Sequence, residues 1–214
     1  MIRSLAAASA LALLFSAAAL FSAAPLAAQP KSDPDWPCPQ RKTPEIDLAQ
    51  VWSGPDPASV GKWTDDQDAA GLAVKLASRR TPAKEFGPLL DGFVKEAGAE
   101  ADKGLLRVMA GVYEIINDQR SRLIHGIERY ARGQQRLADR IREEGDALSK
   151  AQTSITAPET AESRKLDEQL NWDTRIFDER AKSLIYVCET PVLLEQRAFD
   201  IGQQIQARLK AKGG

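Results

Sequence analysis

Few side chains in this chain could carry covalent or metal chemistry. They are two cysteines, Cys38 and Cys188, and one histidine, His125. Redox and zinc motifs place cysteines a few residues apart, so that both sulfurs reach one metal or each other within a turn. Cys38 and Cys188 have no such spacing. An isolated pair in an exported chain is the pattern of a structural disulfide. The loop it closes is about 150 residues long, which the chain-entropy model converts to about 5 kcal/mol as an upper figure. His125 alone supplies neither an HExxH pair nor a Ser–His–acid set. There is no Walker loop, GxGxxG, EF-hand loop or GxSxG. The carboxylates are spread at helical spacing beside Lys and Arg, which describes a solvated helix face. The sequence assigns no catalytic residue, no cofactor and no metal site.

Charge excludes another class of partner. The formal net charge is −1, so the chain lacks the excess of Lys and Arg that nucleic acid demands. At 43% hydrophobic and 28% charged, the composition is that of an ordinary folded domain.

The N-terminus reads as an export signal over residues 1–28. Arg3 gives the positive flank, and Leu5 to Ala24 is apolar and rich in alanine. Small residues lead to Ala28, and the chain turns polar at Gln29. Cleavage after Ala28 is expected, although Leu26 is larger than the residue usually preferred there. The competing reading is an uncleaved membrane anchor. With cleavage the protein is periplasmic or extracellular, and no other stretch is apolar enough to hold it in a membrane.

The elements that must position the cysteines are two long helices. Alternating steps of three and four from Leu106 pass Met109, Tyr113, Ile116, Arg120, Leu123, Ile127, Tyr130, Gln134, Leu137, Ile141, Glu144 and Leu148. Most are large and apolar, which makes a heptad seam along one helix face. Counted from Arg120 as position a, His125 falls at f, opposite the seam. After a polar break around Thr153 to Pro158 the pattern resumes at Leu166, Leu170, Asp173, Phe177, Arg180, Leu184 and Val187. It continues through Pro191 to Leu194, Ala198, Ile201 and Ile205, so a kinked but continuing helix is expected there. Two seams joined by a short turn form an antiparallel hairpin. With the turn near Ile155, facing positions have numbers that add to about 310, which sets Arg132 near Asp178 and Arg142 near Glu168.

Residues 29–63 carry seven prolines and read as an arm without regular structure. Trp36, Trp52 and Trp63 lie in it. They read first as anchors that hold the arm on the helices, and second as a platform for a peptide or sugar. Thr64 is expected to cap a first short helix carrying Ala69, Leu72, Ala73 and Leu76. Gly87-Pro88 interrupts the chain before a further helix with Leu89, Leu90, Phe93 and Val94.

The expected fold is therefore all-α: a long antiparallel coiled-coil hairpin on a small helical-bundle base, with a Pro/Trp-rich irregular N-terminal arm. The helical domain spans 64–214, with 64–118 and 191–212 as base and 119–190 as a hairpin projecting alone. That stalk, at 1.5 Å per residue, is about 50 Å long. Arg120, Gln134, Glu144, Asp173 and Arg180 interrupt the seams and are read as register control or as a polar groove for a partner. The functional expectation is an exported, non-enzymatic interaction or scaffold protein, acting through the hairpin on a protein partner or a second copy. The alternative is a helical module that binds a peptide or small ligand between the Trp-rich arm and the base.

Overall fold

The computed structural model describes residues 33, 35–152 and 159–212; the segment read as an export signal and the one read as the hairpin turn lie outside the described residues. Among the described residues five α-helices follow in order: α1 (Leu48–Val51), α2 (Gln67–Ala77), α3 (Phe86–Ala97), α4 (Ala101–Ala151) and α5 (Ala161–Lys212). No strand occurs among the described residues. The all-α helical hairpin is therefore the observed architecture, with α4 packed along α5. At 51 residues, α4 is about 77 Å long.

The seam expected for α4 faces inward along its whole length: every one of its positions is buried or half-buried. Register is close to that expected. The Tyr130 hydroxyl donates to the Arg180 carbonyl (2.7 Å), and Gln134 Nε2 donates to that of Phe177 (3.2 Å). Nearer the tip Arg140 meets Asp173 and Glu144 meets Gln169, a shift of three residues that these long side chains span. The expected ion pairs did not form. Arg132 turns to Asp35 of the arm, and Arg142 pairs with Asp139 on its own helix. Both expected pairs were solvent-exposed, where such contacts contribute little and local partners compete.

α5 starts with a reciprocal cap. Thr160 Oγ1 accepts from the Ser163 N–H, and Ser163 Oγ accepts from the Thr160 N–H, each at 3.0 Å. The helix then runs through Pro191 without ending. Pro191 is buried on the inner face, where packing against the base holds the helix although one backbone hydrogen bond is missing.

At the base, α2 and α3 bury their apolar stripes on α4 and α5. Leu72, Leu76, Phe86, Leu90, Val112 and Ile201 are among the core residues. A second inner line on α4, through Leu105, Val108 and Val112, is fully buried. Gly111 lets α2 approach: a Cβ there would meet Ala73 Cβ at 2.8 Å and Trp63 Cε3 at 2.9 Å.

Three boundaries differ from expectation. Thr64 lies in a 3-10 turn, Trp63–Asp65, and α2 is capped instead by Asp66, whose carboxylate accepts from the Ala69 N–H at 3.0 Å. Gly87-Pro88 does not interrupt α3 but sits in its first turn, where a missing N–H costs nothing. The arm is not wholly irregular, since it holds α1 and a 3-10 turn at Pro57–Val60, each started by an aspartate cap.

The arm also lies along the hairpin, so residues 119–190 do not project alone. Prolines deny the arm a regular ladder, and side chains of α4 satisfy its backbone instead. The Ile46 N–H donates to Asn117 Oδ1 (2.8 Å), and Tyr113 OH donates to the Ile46 carbonyl (2.8 Å). Arg120 Nη1 donates to the Thr43 carbonyl. Further out, Lys42 pairs with Glu128, and Arg132 with Asp35 at 2.7 Å.

Candidate partner-docking surface

Cys38 and Cys188 are joined by a disulfide, with Cα atoms 5.4 Å apart. Both are buried, and Ile127 of α4 packs between arm and helix at this point. Trp36, Leu123 and Leu184 close around them. The bond therefore ties the start of the arm to α5 just before Pro191, at the root of the stalk.

The five polar seam residues do not form one accessible groove. Arg120 is 5% exposed. Burial pulls its pKa below the usual arginine value, offset in part by Glu195, whose Oε2 lies 3.9 Å from Nη2. Gln134 is half-buried and spends its amide N–H on α5. Glu144 and Asp173 are both buried, and Arg140 reaches in from the edge: Nε lies 2.6 Å from Asp173 Oδ2 and 3.8 Å from Glu144 Oε1. The hydrogen bond from Arg140 to Asp173 raises the arginine's pKa further. Gln169 Nε2 donates to Glu144 Oε1 at 2.8 Å. Arg180 is exposed and accepts from the seam residue Tyr130 through its carbonyl. Four of the five thus point between the helices and bond across them or to the arm. That geometry fits register control better than partner contact.

The three tryptophans are packed onto the fold, Trp52 buried and Trp36 and Trp63 half-buried. Trp52 is 6% exposed and donates Nε1–H to the Pro55 carbonyl at 2.7 Å. Trp36 Nε1 donates to the Gln40 carbonyl (2.6 Å), and Trp63 Nε1 to Glu114 Oε2 (2.8 Å). Each indole N–H is already used, which supports the anchoring role. A groove of about 510 Å³ does lie beside the arm, but it is lined by Leu48, Pro57, Tyr113 and Asn117 among others, and by none of the tryptophans.

An unpartnered apolar surface lies elsewhere, on the outer side of α5. Ile185 is 64% exposed, Tyr186 74%, Val192 45%, Leu193 58% and Phe199 43%. Ile185, Val192 and Phe199 repeat at seven-residue steps, and so do Tyr186 and Leu193. This is a second heptad line on a helix whose first line is already filled by α4. Trp172, 60% exposed, lies two heptads before Tyr186 on the same line. The repeat was present in the sequence. The seam that pairs with α4 hides it there, because lines one position apart blend into one apolar stretch.

His125 is exposed, as its heptad position implies, and its Nδ1 lies 2.7 Å from the Ser121 carbonyl one turn back. Among the described residues no three His, Cys, Asp or Glu side chains are grouped to hold a metal ion. Among the same residues no helix is long and apolar enough to cross a membrane. Fold and surface together define a disulfide-tied, all-α helical hairpin with an exposed apolar line on its second long helix. No family model matches the chain, and neither the curated proteins nor the solved structures give a significant match.

Proposed function

We propose that this is an exported, non-enzymatic interaction protein that docks a protein partner through the outer face of α5. The observation that carries this reading is the heptad line of Ile185, Tyr186, Val192, Leu193 and Phe199, exposed where α4 cannot cover it. Contiguous apolar side chains left in water at coiled-coil spacing are a surface for another helix or a protein groove. The disulfide and the apolar N-terminal segment support export to an oxidising compartment.

The test uses the full chain expressed with its own N-terminus in a bacterial host. Mature protein from the periplasm should lack residues 1–28 and contain no free thiol. Tagged protein should then capture a partner from an envelope extract. The same bait carrying Ile185→Glu and Tyr186→Glu should fail to capture it while keeping its helical circular dichroism. Retention in the cytoplasm contradicts export. Capture that is indifferent to the two substitutions contradicts docking through α5. A concentration-dependent dimer abolished by the same substitutions assigns the surface to self-association.

A further inference from the structure

We propose that the arginine-rimmed groove where α2, α4 and α5 meet is the docking site for an acidic amphipathic helix of a partner protein. This rests on the interaction role above and names the chemistry of the partner. The groove is open to solvent and has a volume of about 890 Å³. Its floor is apolar, with Val74 from α2, Ile115 and Leu123 from α4, and Val187 and Leu194 from α5. Arg79, Arg80 and Arg122 stand around it, and no carboxylate lines it.

These arginines are not explained by the fold. Cations often gather at a helix C-terminus to satisfy its free carbonyls, and Arg79 and Arg80 follow α2 directly. Three of the last four carbonyls of α2 are already taken. The Ser78 N–H donates to the carbonyl of Val74 (3.1 Å), Thr81 Oγ1 to that of Lys75 (2.7 Å), and Arg197 Nη1 to that of Leu76 (2.9 Å). Arg79 and Arg80 are exposed, and neither makes an ion pair among the described residues. Arg122 alone has a partner, Asp118 at 2.6 Å on its own helix. Arg197 adds another cation nearby. Burial lowers its pKa first, and the charge of Arg79 lowers it further, offset only in part by Asp200, so positive groups are crowded here. An acidic occupant relieves that crowding, and a basic one worsens it.

Shape selects a helix over a small molecule. Small-ligand sites bury most of the ligand, whereas Val74 and Val187 on this floor are 56% and 37% exposed. The groove also continues. A neighbouring depression of about 310 Å³ shares Arg79 and Leu194 with it and adds Phe86, Leu193 and Arg197, ending at Asp200. From Val187 to Asp200 the track along α5 is about 20 Å, the length of three to four helical turns. A helix with apolar residues at i, i+3, i+4 and i+7 fills such a track, with flanking Asp and Glu reaching the arginines.

The probe is a phage-displayed library of helix-forming peptides, with apolar residues fixed at those four positions and the rest randomised, selected on the folded full chain. The selected peptides should be enriched in Asp and Glu. Their affinity should fall with added salt, and by about tenfold or more against Arg79→Glu/Arg80→Glu protein of unchanged helix content. Peptides without acidic enrichment, or binding the variant equally well, overturn the proposal. So does a dimer of the chain that the variant dissociates, which gives the groove to a second copy. Preferential binding to phosphatidylglycerol vesicles, lost in the variant, overturns it in favour of a lipid surface. A partner whose capture needs Ile185 and Tyr186 but survives Arg79→Glu/Arg80→Glu removes the groove and leaves the interaction role standing.

Discussion

Arg140 donates from Nε to Asp173 Oδ2 at 2.6 Å, joining the two arms of the hairpin well beyond the base. Asp173 is 6% exposed, between Leu170 and Phe177 on its seam, and the arginine reaches it from the solvent edge. A carboxylate in that position needs its partner, because an unpaired buried charge is costly. Arg140→Ala is therefore expected to lower the thermal unfolding midpoint by a few degrees. Replacing both residues, as Arg140→Ala with Asp173→Leu, should restore or exceed the original midpoint, since an apolar seam carries no such demand. A single substitution without effect would mean the pair contributes nothing to the stalk.

Reducing the disulfide tests how firmly the arm is held. The crosslink spans 150 residues of sequence, and loss of a native disulfide costs about 2–5 kcal/mol. Cys38→Ser/Cys188→Ser protein should unfold at a lower denaturant concentration, with residues 33–45 the first to be cut by protease. Equal midpoints for oxidised and reduced protein would show that the Arg120, Asn117 and Tyr113 contacts suffice alone.

Gly202 on α5 faces the Val51 carbonyl so closely that a Cβ would lie 2.4 Å from it. The obstacle is backbone, which cannot swing aside as a side chain can. Gly202→Ala should cost about 1–3 kcal/mol by overpacking and loosen α1 from α5. Denaturant titration with tryptophan fluorescence reads both, because Trp52 sits at this contact. A midpoint equal to wild type would mean that α1 shifts freely.

The arm should also respond to pH in two windows. The hydrogen bond from Lys42 holds the Asp33 carboxyl below the usual aspartate range, and the same bond, with Glu128, raises the Lys42 ammonium. A lowered carboxyl gives stability that is present above its unfolded pKa and lost as pH falls through the folded one, below about 4. A raised ammonium gives stability that is present below its unfolded pKa and lost as pH rises through the folded one, above about 10.4. In the Cys→Ser background, protection of the amides of residues 33–45, taken relative to their intrinsic exchange rates, should fall at both extremes. Lys42→Met should flatten the difference by lowering protection between them. An identical profile in that variant would assign the pH response to other groups.

The distal stalk should be separable from the base. Arg132 binds the arm at Asp35, so the cut must fall beyond it. A chain with residues 136–175 replaced by a short Gly-Ser turn should keep the disulfide and the base core and lose only the helix signal of the deleted part. Unfolding of the whole chain would make the distal stalk part of the core.

The sequence by itself determined the hairpin and its register. A heptad period forces one inward face, and a slip of one residue would turn Leu137 and Ile127 outward, so Tyr130 meets Arg180 where the pattern requires. It also pointed to the disulfide, since two cysteines leave only one intramolecular pairing. The tertiary structure alone decided where the arm lies. Prolines removed its periodicity, so its position follows from which α4 side chains reach its carbonyls, and no pattern encodes that. Tertiary packing also chose the partners of Arg132 and Arg142, because exposed ion pairs differ by too little energy for spacing to select among them. Likewise the arginine-rimmed groove exists only where three helices converge. Arg79, Arg80 and Arg122 are ordinary solvated charges in the sequence, and their field arises from proximity that only the fold supplies.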